Sequence, residues 1–156
     1  MTEIYLDADA CPVRDEAYRV ALRFGLTVHV VFNGSRPILP PRQANVRMVV
    51  VGETPDAADN WIAERITAQD VCVTADIPLA ARCLARGARA LSPAGKPWTA
   101  DNIGSALAGR ELSRHLRELG HTGSGPAAFG KQDRSRFLNA LDVAIRAALR
   151  AEASSV

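Results

Sequence analysis

Lysine is nearly missing from this chain: of 19 basic residues only Lys96 and Lys131 are lysines. Any chemistry that needs a lysine beside its reacting group therefore has two positions to draw on. Long hydrophobic runs are also missing. No stretch approaches the roughly 20 apolar residues of a membrane-spanning helix, and Glu3, Asp7 and Asp9 stand where a signal peptide needs basic and then apolar residues. The expectation is a soluble chain with no membrane partner. Cysteine is scarce, with Cys11, Cys72 and Cys83 odd in number and without CxxC spacing. That excludes a disulfide framework and a zinc ribbon, and fits a reduced cytoplasmic compartment. The three histidines, His29, His115 and His121, show no metal-ligand spacing. Aromatic residues are dispersed, so no stacking platform for single strands is evident. No GxxxxGK[ST] phosphate loop occurs in "GHTGSGPAAFG" at 120–130. Nor does a Cys-x5-Arg loop, since Ala17 is the sixth residue after Cys11.

What the chain does contain is divided by charge. The net charge is +2 over 156 residues, enough for one domain with a sizeable core. Residues 1–76 hold seven arginines against eleven acids, and residues 77–156 twelve basic residues against six acids. An acidic half and a basic half point to a polyanion gripped beside an acidic centre. Arginine suits bidentate phosphate contact, although an arginine-rich composition also follows from genomic base composition.

The apolar pattern alternates strand and helix. Strands are expected at Glu3–Asp7, Thr27–Phe32, Val46–Val51, Asp70–Thr74 and Ala88–Leu91. The first helix is expected at Val13–Phe24, with Pro12 in its first turn and Gly25 as its stop. The second opens at Thr54 as N-cap and Pro55 as first residue. A third spans Leu79–Ala85. Asn33–Gln43 reads as a loop, and Ser92–Trp98 as a turn or irregular hairpin. Thr99–Leu119 reads as a helix with a break near Gly109, the glycine-rich segment as a flexible connection, and Gln132–Arg150 as an amphipathic helix. This order implies one α/β domain over 1–150 with a mainly parallel five-stranded sheet and C-terminal helices, and a frayed tail at 151–156.

In such a sheet ligands bind beyond the carboxyl ends of the strands, where strand order reverses. Three segments place acids there: "IYLDADACP" ends in Asp7 and Asp9, "VCVTAD" ends in Asp76, and the helix after the third strand opens with Asp56, Asp59 and Asn60, neighbours on one face. Carboxylates gathered this way repel unless protons or cations compensate, and Mg²⁺ or Mn²⁺ is the matching cation. Each acid also has a structural alternative. Asp56 favours the helix macrodipole, Asp9 can cap the helix at Pro12, and Asp76 can cap the one near Pro78. Cys11 before a helix N-terminus is either a nucleophile or a packing thiol. Arg134 and Arg136, at the start of the last helix, either meet phosphate or lie on a solvated face.

With "DADACPV" at 7–13, "PDAADNWI" at 55–62, "TADIPLA" at 74–80 and "DRSRFLNALD" at 133–142, the chain resembles the YaiI/YqxD family of small bacterial proteins, which itself resembles PIN-like nuclease domains. The resemblance implies a three-layer Rossmann-like (PIN-like) domain with sheet order 3-2-1-4-5, so that strands one and four are adjacent. It also implies Mg²⁺ or Mn²⁺ held for phosphodiester hydrolysis by Asp7 with Asp9 beside it, by Asp59 and by Asp76. There are two departures from the PIN-like pattern. Ile77-Pro78-Leu79 follows Asp76 where many such nucleases carry another acid, and Asp59 replaces the commoner Glu. A weakened second metal site, or binding without cutting, is what those departures imply.

Three functions follow. The first is a metal-dependent ribonuclease or related phosphodiesterase, with Arg14 and the later arginines orienting RNA. The second is a non-catalytic module binding RNA or protein. The third is a phosphatase in which Asp7 is nucleophile and Asp9 general acid, since "LDADACPV" looks like the DxD opening of haloacid-dehalogenase-type enzymes.

Overall fold

The computed structural model describes residues 1–35, 37–118 and 129–154; the side chains of Ala10 and 113–118 are outside the description. The strands are β1 (Ile4–Asp7), β2 (Val28–Asn33), β3 (Val46–Val51), β4 (Val71–Val73), β5 (Arg89–Leu91) and β6 (Pro97–Trp98). The helices are α1 (Arg14–Arg23), α2 (Ala57–Arg65), α3 (Ile77–Ala85), α4 (Ala100–Glu118) and α5 (Lys131–Ser154). A 3₁₀ turn at Ala8–Ala10 separates β1 from α1.

Five strands pair in parallel in the order β3-β2-β1-β4-β5, as the family resemblance implies, and β6 adds an antiparallel sixth strand at the β5 edge. Alternation along the strands divides the core into two layers. Ile4, Leu6, Val28 and Val30 pack with Val13, Ala17, Val20, Phe137, Leu141 and Ile145 of the α1 and α5 side. Tyr5, Val31 and Cys72 pack with Ile62, Ile66, Leu79 and Cys83 of the α2 and α3 side. The chain runs outward from β1 to β3 and then returns to place β4 on the other flank of β1. The reversal of strand order thus falls between β1 and β4.

Several expectations need correction. Pro12 precedes α1 by two residues, and the N-cap is Val13 without a side-chain cap bond, so Asp9 does not cap that helix. Gly25, at φ +68, follows the helix as its stop. α2 begins two residues later than Pro55, because Ala57 N–H donates to the Thr54 carbonyl at 3.1 Å and closes a turn first. α4 runs through Gly109 without a break. α5 continues through residues 151–154, and Glu152 there accepts from both the N–H and the hydroxyl of Thr2, tying the end of the chain to its beginning. The expected flexible connection lies outside the described residues over 120–128, as does His121. No helix among the described residues is long and apolar enough to cross a membrane.

Candidate metal centre

β1 delivers Asp7 to the carboxyl edge of the sheet. Leu6 pairs with Val73, so the next step along each strand sets Asp7 beside Thr74. The fully buried Thr74 hydroxyl donates to Asp7 Oδ2 at 2.8 Å. The same hydroxyl oxygen accepts the Asp76 N–H at 2.9 Å, fixing the chain as it turns from β4 into α3. Asp76 is the N-cap of α3: its Oδ1 accepts from Leu79 N–H at 2.9 Å. β6 braces this corner, because Trp98 Nε1–H donates to the Thr74 carbonyl at 3.1 Å.

Asp59 approaches from α2. Burial is the main reason its carboxyl is pushed up to about 6, with repulsion from Asp76 and then Asp7 next, opposed by Arg82. Asp7 is raised as well, first by burial and then by Asp76 and Asp9, against the lowering effect of the Thr74 hydrogen bond. Each of these two acids feels Asp76, and Asp59 feels Asp7. Residues from the end of β1, from α2 and from the turn after β4 therefore act on one another across one mouth.

The remaining predicted residues take other places. Both oxygens of Asp9 accept the Asn33 N–H, at 3.1 and 2.9 Å, clasping the 3₁₀ turn to the end of β2. Asp56 is the exposed N-cap residue of α2 and adds a smaller repulsion to Asp59. Asn60 Oδ1 accepts from Arg82 Nη1 at 2.7 Å, a strut between α2 and α3 that keeps Arg82 near Asp59. Arg14 Nη1 donates to the Ala8 carbonyl at 3.3 Å, between the two aspartates of the opening motif. Arg134 Nη1 donates to the Pro12 carbonyl at 2.8 Å and pairs with Glu16 at 3.0 Å, docking α5 onto the start of α1. Arg136 pairs with Asp133 at 3.6 Å on the exposed side of α5. Cys11 is buried and its thiol is pushed up to about 11, chiefly by burial, which leaves it a packing group. Thr74 is the site residue the motifs did not single out.

Carboxylates are the donor type that a hard divalent cation takes. All three facing groups are carboxylates, and Asp7 Oδ1, Asp76 Oδ2 and the Asp59 carboxylate have no hydrogen-bond partner among the described residues. A cation between them would remove the mutual repulsion. Among the described residues no group of three or more His, Cys, Asp or Glu is placed to hold a metal ion. Mg²⁺ characteristically retains several waters and takes only one or two carboxylates. An apolar cavity of about 540 Å³ between α5 and the β5–β6 edge is lined by none of these acids.

The family model described as "Uncharacterized BCR, YaiI/YqxD family" matches residues 5–147. A UPF0178 protein of Rhodospirillum rubrum is 57% identical over 148 residues, covering 95% of this chain and 98% of that protein. A UPF0178 protein of Parvibaculum lavamentivorans is 57% identical over 151 residues, covering 96% and 97%. One of Paramagnetospirillum magneticum is 52% identical over 150 residues, covering 96% and 98%. Among solved structures, a mutant of Rae1 (YacP) from Bacillus subtilis aligns over 95% of this chain and 99% of that one. The TM-score is 0.44 and the identity 16%, a likeness too distant to transfer a role to any residue.

Proposed function

This chain belongs to the YaiI/YqxD family, and from its acidic mouth we propose that it is a Mg²⁺- or Mn²⁺-dependent phosphodiesterase acting on RNA. The observation that carries the reading is the convergence of Asp7, Asp59 and Asp76. Three carboxylates from three separate segments repel one another at the strand-order reversal, and two of them, Asp7 and Asp59, are raised above the ordinary carboxylate value, chiefly by burial.

Asp7 and Asp76 are the ligands in this reading, with Asp59 facing them from α2. When bound, the cation would supply Lewis acidity toward the phosphodiester oxygens and lower the pKa of a water. Thr74 orients Asp7 by holding one oxygen, which leaves the other to face the mouth. Without a cation Asp59 holds its proton up to about pH 6, so below that pH a bound cation would compete with the proton for this carboxylate. Asp9 anchors the end of β2 and adds negative charge beside Asp7 without turning an oxygen away from Asn33. Arg14, which donates to the Ala8 carbonyl between Asp7 and Asp9, would meet a phosphate outside the metal position.

The test is purified protein incubated with Mn²⁺ or Mg²⁺ and with mixed RNA and DNA. Metal-dependent cleavage that falls at least a hundredfold in both Asp7→Asn and Asp76→Asn supports the reading; cleavage unaffected by either substitution belongs to a contaminant and overturns it. One observation favours a second reading, a module that binds RNA without cutting: Asp9 and Asp76 already hold backbone N–H groups. RNA binding undiminished by chelator and by Asp7→Asn would support that alternative.

A further inference from the structure

A cleft of about 400 Å³ lies between the start of α1 and the β2–β3 loop, lined by Arg14, Asp15, Tyr18, Pro37, Ile38, Leu39 and Pro41. We infer that it is a nucleobase subsite of the polynucleotide substrate, with the Tyr18 hydroxyl meeting the base edge and Arg14 meeting the adjoining phosphate. The inference rests on the phosphodiesterase reading for its choice of ligand, and on four observations for its place.

The first is an unmet hydrogen-bonding group. Tyr18 is 2% exposed, and its hydroxyl has no partner among the described residues. Buried tyrosine hydroxyls nearly always find one. Burial pushes this phenol up to about 12, so it remains protonated and offers both a donor and an acceptor.

The second is the character of the walls. The loop contributes Pro37, Ile38, Leu39 and Pro41, and Leu39 is 90% exposed. Apolar walls with one or two polar contacts describe a site for a flat, partly apolar ligand, and the volume is in the range of small-ligand pockets. Unpaired bases of single-stranded RNA are recognised with their faces on aromatic or arginine side chains and their edges hydrogen-bonded; here Arg14 lines the cleft beside proline and aliphatic walls.

The third is charge. Arg14 is half-buried at the cleft, and its described hydrogen bond goes to the Ala8 carbonyl and not to a carboxylate. Its positive charge is thus free of a hydrogen-bonded carboxylate, with the exposed Asp15 as the one acid among the described residues lining the same cleft.

The fourth is the connection to the acids. Ala8 lies between Asp7 and Asp9, so Arg14 ties one wall of the cleft to the opening motif. Asp9 holds Asn33, the last residue of β2, from which the other wall departs. A base in the cleft and a phosphodiester at Asp7 thus belong to one continuous binding path. Asp9 is a positioning residue in this arrangement.

Fluorescence anisotropy with labelled poly(A), poly(C), poly(G) and poly(U) oligoribonucleotides, in chelator so that nothing is cut, tests the inference in the full chain. Wild-type protein is expected to rank the four with at least a fivefold spread in Kd. Tyr18→Phe, which removes only the unpartnered hydroxyl, is expected to flatten that ranking. Leu39→Ser, at an exposed loop position that the core does not need, is expected to weaken all four Kd values about threefold to tenfold without changing their order. Arg14→Gln is expected to lower the salt slope of binding by about one. An unchanged ranking in Tyr18→Phe together with unchanged affinity in Leu39→Ser overturns the subsite, whether or not Mn²⁺-dependent cleavage is seen. Tyr18-dependent ranking in a protein that cleaves nothing supports the subsite while removing the phosphodiesterase reading, so the two failures are distinguishable.

Discussion

Thr74 donates a 2.8 Å hydrogen bond to Asp7 across the junction of β1 and β4, and the same hydroxyl accepts the N–H of Asp76. One buried side chain therefore sets both acids that the metal reading needs.

Thr74→Ala should cost about 1–2 kcal/mol of stability, since it leaves a half-buried carboxylate oxygen and a backbone N–H without their partner. It also removes the one contact that lowers the Asp7 carboxyl. The acid limb of any metal-dependent rate profile should move to higher pH, and Thr74→Ser should restore it. Urea unfolding and the pH profile of cleavage measure the two effects.

Asp59 gives a stability change whose sign depends on pH. Its folded value of about 6 lies above the ordinary 3.8, so the folded state binds this proton more tightly than the unfolded state does. That contribution is fully present below about pH 4 and is lost as pH rises through 6. Asp59→Asn should therefore stabilise the metal-free protein at pH 8, on the order of 1 kcal/mol once solvent screening of this half-buried group is allowed for. The gain should vanish at pH 4. Urea unfolding at the two pH values measures it.

Asp76 has a cap role and a proposed ligand role, and two substitutions separate them. Asparagine caps about as well as aspartate, so Asp76→Asn should change stability by only a few tenths of a kcal/mol, while Asp76→Ala should cost about 1 kcal/mol. Cleavage should be lost equally in both. Activity that survives in Asp76→Asn would mark a cap and nothing more.

Gly95 turns the chain into β6 at φ +88, and a Cβ there would stand 2.5 Å from the Arg136 carbonyl carbon and 2.7 Å from the Phe137 nitrogen. Gly95→Ala should cost about 2 kcal/mol or more, from both the backbone conformation and the clash with α5. The lost contact would also loosen Trp98, which braces the Thr74 carbonyl. Thermal unfolding followed by circular dichroism measures the loss.

Much of this arrangement was legible in the residues. β3 was bounded correctly by its run of branched side chains, and the five parallel strands followed from the alternation of apolar periods. What escaped depended on contacts distant in sequence. Asp9 could be read as a cap or a ligand from its neighbours, but its partner is Asn33, which reaches it only when β2 lies beside β1. Arg134 looked available for phosphate until the docking of α5 gave it Pro12 and Glu16. The hairpin read at Ser92–Trp98 is present as the antiparallel β5–β6 pair, but its second strand was not bounded, because two residues, one of them proline, carry no period. Thr74 had a signal that motif reading passed over: once β1 and β4 are neighbours in parallel register, the residue after Val73 must stand beside Asp7.

The most direct test of the acidic mouth is anomalous diffraction from crystals of the full chain soaked in Mn²⁺. An anomalous peak is expected between Asp7 and Asp76, within reach of Asp59, together with its loss in Asp7→Asn. No peak at that position, with Asp7 still held by Thr74 and Asp76 still capping α3, would contradict it.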